Sequence, residues 1–419
     1  MKKIEVLKLS SYCYPEQISS SHMTEDLNIA FKKAGFHSII YAPTPCRGID
    51  DKTRKKYKKI KHERLMDGSI DIYRFPLFKE GKNPVGRALR YILCNIIQYR
   101  KGICGKNIDV IFSGSTPPTQ GLLCGKVATK LSKKYGRKVP FVYNLQDIFP
   151  DSLVNAKMTK KGSIIWKIGR KIEDYTYRKA DVIITISEDF KANIMAKGVP
   201  ESKIIVVPNW VNTDNVYPVD RKDNILFDRY GLDRNKFYIC YSGNIGLSQN
   251  MDLLLDVAKE IDIPDVRFVL IGDGAAKETV QKRIEDEHIS NVIMLPFQDY
   301  SEIAHVFSLG DVDLIVSKPG VGGSSVPSKT FSIMAAARPI LASFDKNSEL
   351  SKLIERVGCG IVADAKSKEK FSKAIKELYN EKEIRSALGN NGQSYVTTTL
   401  NKDKCTKAYV SSIKRVIDI

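Results

Sequence analysis

A chain of 419 residues exceeds one ordinary hydrophobic core and fits two or three domains of roughly 100–200 residues each. Hydrophobic residues at 42% and charged residues at 27% exclude a disordered or fibrous chain. Lys and Arg number 67 against 48 Asp and Glu, and the excess of +19 points to nucleic acid, an anionic membrane surface or a phosphorylated substrate without choosing among them.

From the N-terminus, MKKIEVLKLSSY starts like a signal peptide, but Glu5 and Lys8 interrupt any apolar stretch, so the segment reads as a first strand, Ile4–Leu9. The strongest apolar runs, Tyr91–Ile97 and Val182–Ile186, fall far short of the roughly 18–20 residues of a membrane span. Further strands are expected at His37–Tyr41, Val110–Ser113, Phe141–Asn144, Val182–Ile186 and Ile204–Val207. A second series follows at Phe237–Ser242, Arg267–Ile271, Val292–Leu295, Leu314–Val316, Ile340–Ser343 and Gly360–Val362. Helical periodicity lies between them, for instance over Met23–Ala34, Gly162–Ala180 and Met251–Ile261. Strands alternating with amphipathic helices argue for parallel sheets covered on both faces, an α/β chain of two doubly wound, Rossmann-like domains. The irregular stretch Pro208–Lys222 reads as the hinge, giving domains at 1–212 and 213–399. The segment 400–419, with Tyr409, Ile413, Val416 and Ile417 at helical spacing, is expected to pack back on the first domain. Eight cysteines show no CxxC pair and no clustered His, so a reduced, cytoplasmic, metal-free chain is expected.

Three glycine turns follow strands of the second series. GNIGLSQN places Gly243, Asn244, Gly246 and Gln249 between a strand and a helix, where main-chain amides can approach a diphosphate; a plain βα turn explains the glycines equally well. GDG, at Gly272, Asp273 and Gly274, is neither of the usual dinucleotide or P-loop signatures, and a tight turn accounts for it alone. The segment Ser317–Ser343 carries Gly320, Ser325, Ser328 and Ser332 with Lys318 and Lys329, amides, hydroxyls and ammonium groups that suit a sugar-nucleotide pyrophosphate; a solvated loop is the alternative.

The combination YSGNIGLSQNMDLLLDVA, FVLIGDGAAKE and VPSKTFSIMAAARPILA resembles the C-terminal domain of family 4 glycosyltransferases, and NLQDIFPDS, KADVIITISEDFKANI and VPNWVNTD resemble segments of the N-terminal one. The resemblance spans essentially the whole chain, and the pairing of QDIFPDS with VPSKT is similar to bacterial O-antigen and capsule transferases, N-acetylfucosaminyltransferases among them. It implies a GT-B fold, with the two domains facing across a cleft. It also implies a retaining, metal-independent transfer of a sugar, an N-acetylated amino sugar among the candidates, from a nucleotide diphosphate, UDP foremost. The acceptor implied is a polyprenyl-diphosphate-linked saccharide at the inner face of the cytoplasmic membrane. Gly243, Asn244, Gly246, Gln249, Gly272, Asp273, Gly274, Gly320, Ser325, Ser328 and Ser332 would then line the donor, with Lys318 and Lys329 assisting departure of the diphosphate. The family's acidic E-x7-E pair falls at Gly322 and at Thr330 or Ser332, none of them acidic. Either the two lysines take over, which the place of Lys329 just before the helix favours, or activity is altered or lost.

On the acceptor side, the resemblance brings in the loop Ser10–Asp26, where the family's Gly-Gly pair is replaced near Ile18–Ser20 and the hydroxyls of Ser19, Ser20 and Ser21 would serve instead, with His22 as a candidate general base; helix capping and surface roles compete. Gln146, Asp147 and Asp151 follow a strand end, and Asp147 is either the group that orients or deprotonates the acceptor hydroxyl or a helix cap. Between Pro84 and Lys138 there are eleven Lys and Arg against one acid, Asp109. Val85, Leu89, Ile92, Leu93, Ile96 and Ile97 form one helical face there, and Arg87, Arg90, Cys94, Gln98 and Lys101 another. That reads as a basic amphipathic helix lying on an anionic membrane, or as a core helix with its basic face solvated. The cluster Lys52–Arg64 reads as an exposed loop. The rival functions are a UDP-sugar 2-epimerase of the same fold and a nucleic-acid-binding protein using the basic surface.

Overall fold

The computed structural model describes residues 3–16, 21–81, 83–155, 159–320 and 326–418. The chain divides into two units, residues 1–209 with 403–419, and residues 210–402.

The first unit holds strands β1 (Ile4–Leu9), β2 (Phe36–Pro43), β3 (His62–Leu65), β4 (Ile70–Phe75), β5 (Val110–Gly114), β6 (Phe141–Leu145), β7 (Val182–Thr185) and β8 (Ile204–Val206). They form one sheet in the order β3-β4-β2-β1-β5-β6-β7-β8, parallel except for the β3–β4 pair. Helices α1 (Ser21–Lys33), α2 (Asp51–Tyr57), α3 (Pro84–Ile103), α4 (Gln120–Tyr135), α5 (Asp151–Asn155) and α6 (Ile164–Lys179) connect them. Burial of the β1, β5, β6 and β7 side chains against α4 makes the core: Leu7, Ile111, Leu131, Phe141 and Ile183 are among its sealed members. The terminal helix Lys402–Val416 belongs to this unit, where the buried Tyr409 hydroxyl donates to Asn144 Oδ1 at 3.0 Å.

The second unit continues with β9 (Phe237–Asn244), β10 (Val266–Asp273), β11 (Val292–Leu295), β12 (Val312–Val316), β13 (Ile340–Phe344) and β14 (Gly360–Asp364). All pair in parallel in the order β11-β10-β9-β12-β13-β14. This is the doubly wound order in which the connections reverse direction between β9 and β12, and ligands of such sheets sit outside the strand ends at that reversal. Tyr241, Leu254, Phe268, Leu314 and Phe371 fill one side of the sheet, and Ile315, Ile333, Ala342 and Ile354 the other. Val211, Val216 and Leu400 join this second cluster, which is why the chain passes into the second unit already at Trp210.

Two expectations fail in the first unit. Lys52–Arg64 is not a loop: Asp50 caps α2 by accepting from Thr53 N at 2.7 Å, and Arg54 is buried, donating to Pro45 O at 2.6 Å and Leu77 O at 3.3 Å. Strands β3 and β4 follow, with the buried Asp71 paired to His37, His62 and Arg64, and Arg74 to Glu63. The reading of α3 as a core helix with a solvated basic face is overturned as well. Arg90, Cys94 and Gln98 are the fully buried residues, whereas Leu89, Ile92, Leu93 and Ile96 are exposed, Ile92 by 54%. Hydrogen bonds decide the orientation. Gln98 Nε2 donates to Ser10 O at 2.9 Å and Tyr41 O at 3.0 Å, and Arg90 Nε to Phe78 O at 3.0 Å, so the polar stripe satisfies main-chain carbonyls at the sheet end.

Candidate functional site

In the second unit, the ends of β9 and β10 lie side by side in register, Gly243 opposite Gly272 and Asn244 opposite Asp273. Only glycine fits this approach. A Cβ on Gly272 would lie 1.9 Å from Gly243 O, and one on Gly274 would lie 2.4 Å from Ile245 O. Main chain then fixes the turns, with Ile245 N donating to Asp273 O at 2.8 Å and Ala276 N to Ile245 O at 2.9 Å. Lys318 N donates to Ser248 O at 2.9 Å, which ties the loop after β12 to the loop after β9. Three glycine-bearing turns therefore converge at the strand ends beside the topological reversal.

Lys329 opens the short helix Lys329–Ala335 and reaches into this convergence. Its Nζ lies 3.6 Å from the centre of the Tyr241 ring and donates to Ser242 O at 3.4 Å, and its Cδ is 4.0 Å from the place a Cβ would take on Gly243. Burial lowers its ammonium from the ordinary lysine value to about 7, opposed by the charge of Asp313. Asp313, on β12 and 1% exposed, is raised to about 8 by burial, with Arg338 and Lys329 pulling the other way and Asp311 adding to the rise. Among the described residues neither carboxylate oxygen of Asp313 has a hydrogen-bond partner, nor do the buried hydroxyls of Ser242 and Thr330.

Other expected donor residues shape the turns from within. Gln249 Oε1 accepts from Gly246 N at 3.1 Å, closing its own loop, and Asp273 Oδ1 accepts from Gly274 N at 2.9 Å. Gly320 N is held by both oxygens of Asp345 at 3.0 Å. Ser328 is exposed, Ser332 is half-buried on the helix, and Ser325 lies outside the described residues.

In the first unit, Asp147 sits exposed just after β6; desolvation raises its carboxyl, against hydrogen bonds from the Ser152 side chain and Ile148 N–H that hold the start of α5. Gln146 N donates to Ser115 Oγ at 3.1 Å and its Nε2 to Asn144 Oδ1 at 2.9 Å. Asp151 is committed to an ion pair with Lys197 at 2.7 Å, which also binds Glu173 at 2.9 Å. The loop after β1 is anchored by Glu16, whose carboxylate accepts from Cys13 N, Cys46 N and Arg47 N at 2.8–3.0 Å. Beyond it, Ser19 and Ser20 lie outside the described residues, and Ser21 and His22 open the backbone of α1. Among the described residues no group of three His, Cys, Asp or Glu is placed to hold a metal ion, and no helix is long and apolar enough to cross a membrane.

Sequence reasoning passed over Tyr241, Asp313, Asp345 and Arg338. An acid inside the apolar run VDLIV was the available signal for Asp313; nothing in the pattern marked Tyr241, which reads as an ordinary strand residue.

Comparison with known proteins assigns both units. Residues 21–215 match the model of Glycosyltransferase Family 4, and residues 222–395 match Glycosyl transferases group 1. The chain belongs to the group 1 and family 4 glycosyltransferases. It is 29% identical over 252 residues to a Pseudomonas aeruginosa protein named a probable glycosyltransferase, WbjE, a match covering 60% of this chain and 61% of that protein. Over 297 residues it is 24% identical to WcaI of Escherichia coli K12, which bears the name of a colanic acid biosynthesis glycosyl transferase, covering 70% of this chain and 72% of WcaI. Among solved structures, Anabaena HepE in complex with UDP and glucose superimposes with a TM-score of 0.68 at 13% identity, covering 98% of this chain and all of that one. The fold is that of the GT-B glycosyltransferases, two Rossmann-like units with parallel sheets.

Proposed function

We propose that this glycosyltransferase transfers a sugar from a nucleoside diphosphate sugar, UDP-linked, with retention of configuration, onto a polyprenyl-diphosphate-linked saccharide in bacterial surface polysaccharide synthesis of the O-antigen or capsule kind. The observation that carries the reading is the convergence of three glycine turns on Lys329. Main-chain amides and one buried amine at a strand-end reversal suit a diphosphate, and they suit its departure as a leaving group, because donors fixed in advance stabilise the charge that develops there. The UDP of HepE and the colanic acid name of WcaI support the donor class and the pathway class. Lys318 and Lys329 flank the positions, Gly322 and Thr330 or Ser332, at which the family's acidic pair falls, and would take over its part, and Asp147 is the acceptor-side group of choice, being exposed at a strand end with a raised carboxyl.

The acceptor reading extends to the surface of α3. Leu89, Ile92, Leu93 and Ile96 recur at i, i+3, i+4 and i+7 and stay exposed, with Arg87 and Arg100 exposed on the same helix. Helix α6, which like α3 packs against α4, exposes Ile164, Ile165 and Ile168 among Lys161, Lys167 and Lys171. A cavity of about 510 Å³ in the same unit is lined by Asp51, Arg54, Lys55, Lys58, Leu77, Phe78 and Lys79. Apolar side chains for the acyl boundary, with cations worth about 1 kcal/mol each beside anionic headgroups, describe peripheral attachment to the inner membrane face.

Thermal unfolding against a panel of nucleotides and nucleotide sugars tests the donor reading. A ligand at 100 times its Kd adds about 2.7 kcal/mol, and UDP-sugars are expected to give the largest shift. Lys329→Met is expected to abolish it, and a full shift in that variant would remove Lys329 from the donor site. Release of an epimer from a UDP-sugar without acceptor would replace the transferase reading with the epimerase one.

A further inference from the structure

The first unit buries two guanidinium groups, Arg54 of α2 at 7% exposure and Arg90 of α3 at 0%, and no carboxylate pairs with either among the described residues. The same two stretches of chain hold both, and these leave the adjacent ends of β2 and β4, where Pro43 lies opposite Phe75. Arg54 Nη1 donates to Pro45 O at 2.6 Å and its Nη2 to Leu77 O at 3.3 Å. Arg90 Nε donates to Phe78 O at 3.0 Å and its Nη2 to Cys46 Sγ at 3.2 Å, while its Nη1 is buried without a partner. The neighbouring acid, Glu16, is engaged by the main-chain amides of Cys13, Cys46 and Arg47. Neutral carbonyls and a thiol satisfy N–H groups but cancel no charge, and a buried cation without an anion is costly.

The cavity of about 510 Å³ opens beside these stretches. Its lining sets Arg54, Lys55, Lys58 and Lys79 around one acid, Asp51, which is paired with Lys79 at 3.0 Å, and Leu77 and Phe78 complete the wall. We propose that this cavity binds the phosphoryl group of a lipid. Of the five N–H groups of a guanidinium, Arg54 gives two to carbonyls, and the rest of its fork, with the exposed ammonium groups of Lys55 and Lys58, suits the several oxygens and the multiple charge of a phosphate. The apolar half of the ligand has a place as well. Phe78 is 44% exposed, and the wall it belongs to is fastened to α3 by Arg90 and by the ion pair of Arg87 with Glu80 at 2.9 Å. A chain leaving the cavity over Phe78 therefore meets the helix that exposes Leu89, Ile92, Leu93 and Ile96. The phosphoryl chemistry stands on the cavity residues, and its lipid source rests on the membrane reading of α3 given above. A prenyl diphosphate and an anionic phospholipid share that chemistry.

Calorimetry on the full chain tests the site with three soluble probes: farnesyl diphosphate, dihexanoylphosphatidic acid below its micelle concentration, and inorganic phosphate. A lipid probe is expected to bind at least tenfold more tightly than inorganic phosphate. Lys55→Gln with Lys58→Gln is expected to weaken that binding at least fivefold. Lys52→Gln with Lys59→Gln removes the same charge from exposed positions outside the cavity and is expected to change it less than twofold. Tighter binding of farnesyl diphosphate makes the source a prenyl diphosphate, tighter binding of phosphatidic acid makes it a phospholipid, and either supports the site. Binding of neither lipid, or equal weakening by the two lysine pairs, overturns it. Inorganic phosphate held as tightly as the lipids overturns the lipid source. Farnesyl diphosphate binding that Lys329→Met abolishes and the Lys55, Lys58 pair leaves alone belongs to the donor site and overturns this one. Should Ile92→Glu with Leu93→Glu leave partition onto anionic vesicles unchanged while the soluble lipid still needs Lys55 and Lys58, the membrane reading of α3 fails and the phosphoryl site stands.

Discussion

The two units break the ordinary distribution of polar and apolar side chains in opposite directions. The second takes charge inside: Asp313 is sealed within the sheet, and Lys329 is pressed onto an aromatic ring. The first puts oil outside: four aliphatic side chains of α3 face solvent while an arginine and a glutamine lie beneath them. Single exposed apolar residues need no account, but a helical stripe of them, or a carboxyl without a partner, does. Each departure costs stability in the free protein, and the proposed function would offset each by binding: a diphosphate at Lys329 in the second unit, an anionic membrane surface at the first.

The largest effect that would test this contrast is structural. Gly272→Ala is expected to cost about 3 kcal/mol and to end UDP binding, because the added methyl meets Gly243 O with no room to move. A variant that unfolds at the wild-type temperature and still binds would show that the turns do not need their close approach. Next comes the first unit. Ile92→Glu with Leu93→Glu is expected to lower partition onto vesicles of anionic phospholipid by about tenfold or more, while the melting temperature moves by no more than about 2 °C, since neither residue is in the core. Equal partition would return α3 to an ordinary solvated helix. A third test is the pH dependence that Asp313 imposes on stability. Its folded value of about 8 exceeds the unfolded 3.8, so the stability it contributes is complete below pH 4 and is lost as pH rises through about 8. Asp313→Asn, which cannot ionise, is expected to gain stability relative to wild type between pH 5 and pH 8; a constant difference in melting temperature over that range would place Asp313 in contact with water.

Period and turn chemistry made most of the fold legible. β1 at Ile4–Leu9 and β11 at Val292–Leu295 have the same bounds in the sequence reading and the structure, and the other expected strands differ at one or both ends by one or two residues. β3 and β4 escaped because their buried charges, Asp71 and Arg74, look like surface residues until the partners His37, His62, Arg64 and Glu63 are brought to them. Helix α3 shows a deeper limit. Periodicity establishes which side chains share a face, and it cannot establish which face turns inward when main-chain carbonyls at a sheet end wait for donors. For the site, the glycine turns and Lys329 were readable, since their chemistry is local. Gln249 and Gly320 were assigned to the donor, yet their polar groups bond within the loops, to Gly246 and Asp345, as only coordinates reveal.

The terminal helix carries a consequence for the order in which this protein is made. Asn144 on β6 binds the Tyr409 hydroxyl, and Phe112 on β5 meets the Tyr409 ring edge-on at 6.1 Å between centroids. The ribosome synthesises every residue of the second unit before Tyr409, so the earlier unit waits, with that groove open, for a plug translated after the whole second unit. A released chain that ends at residue 402 should therefore hold a folded second unit beside an unsealed first one, a species open to a chaperone.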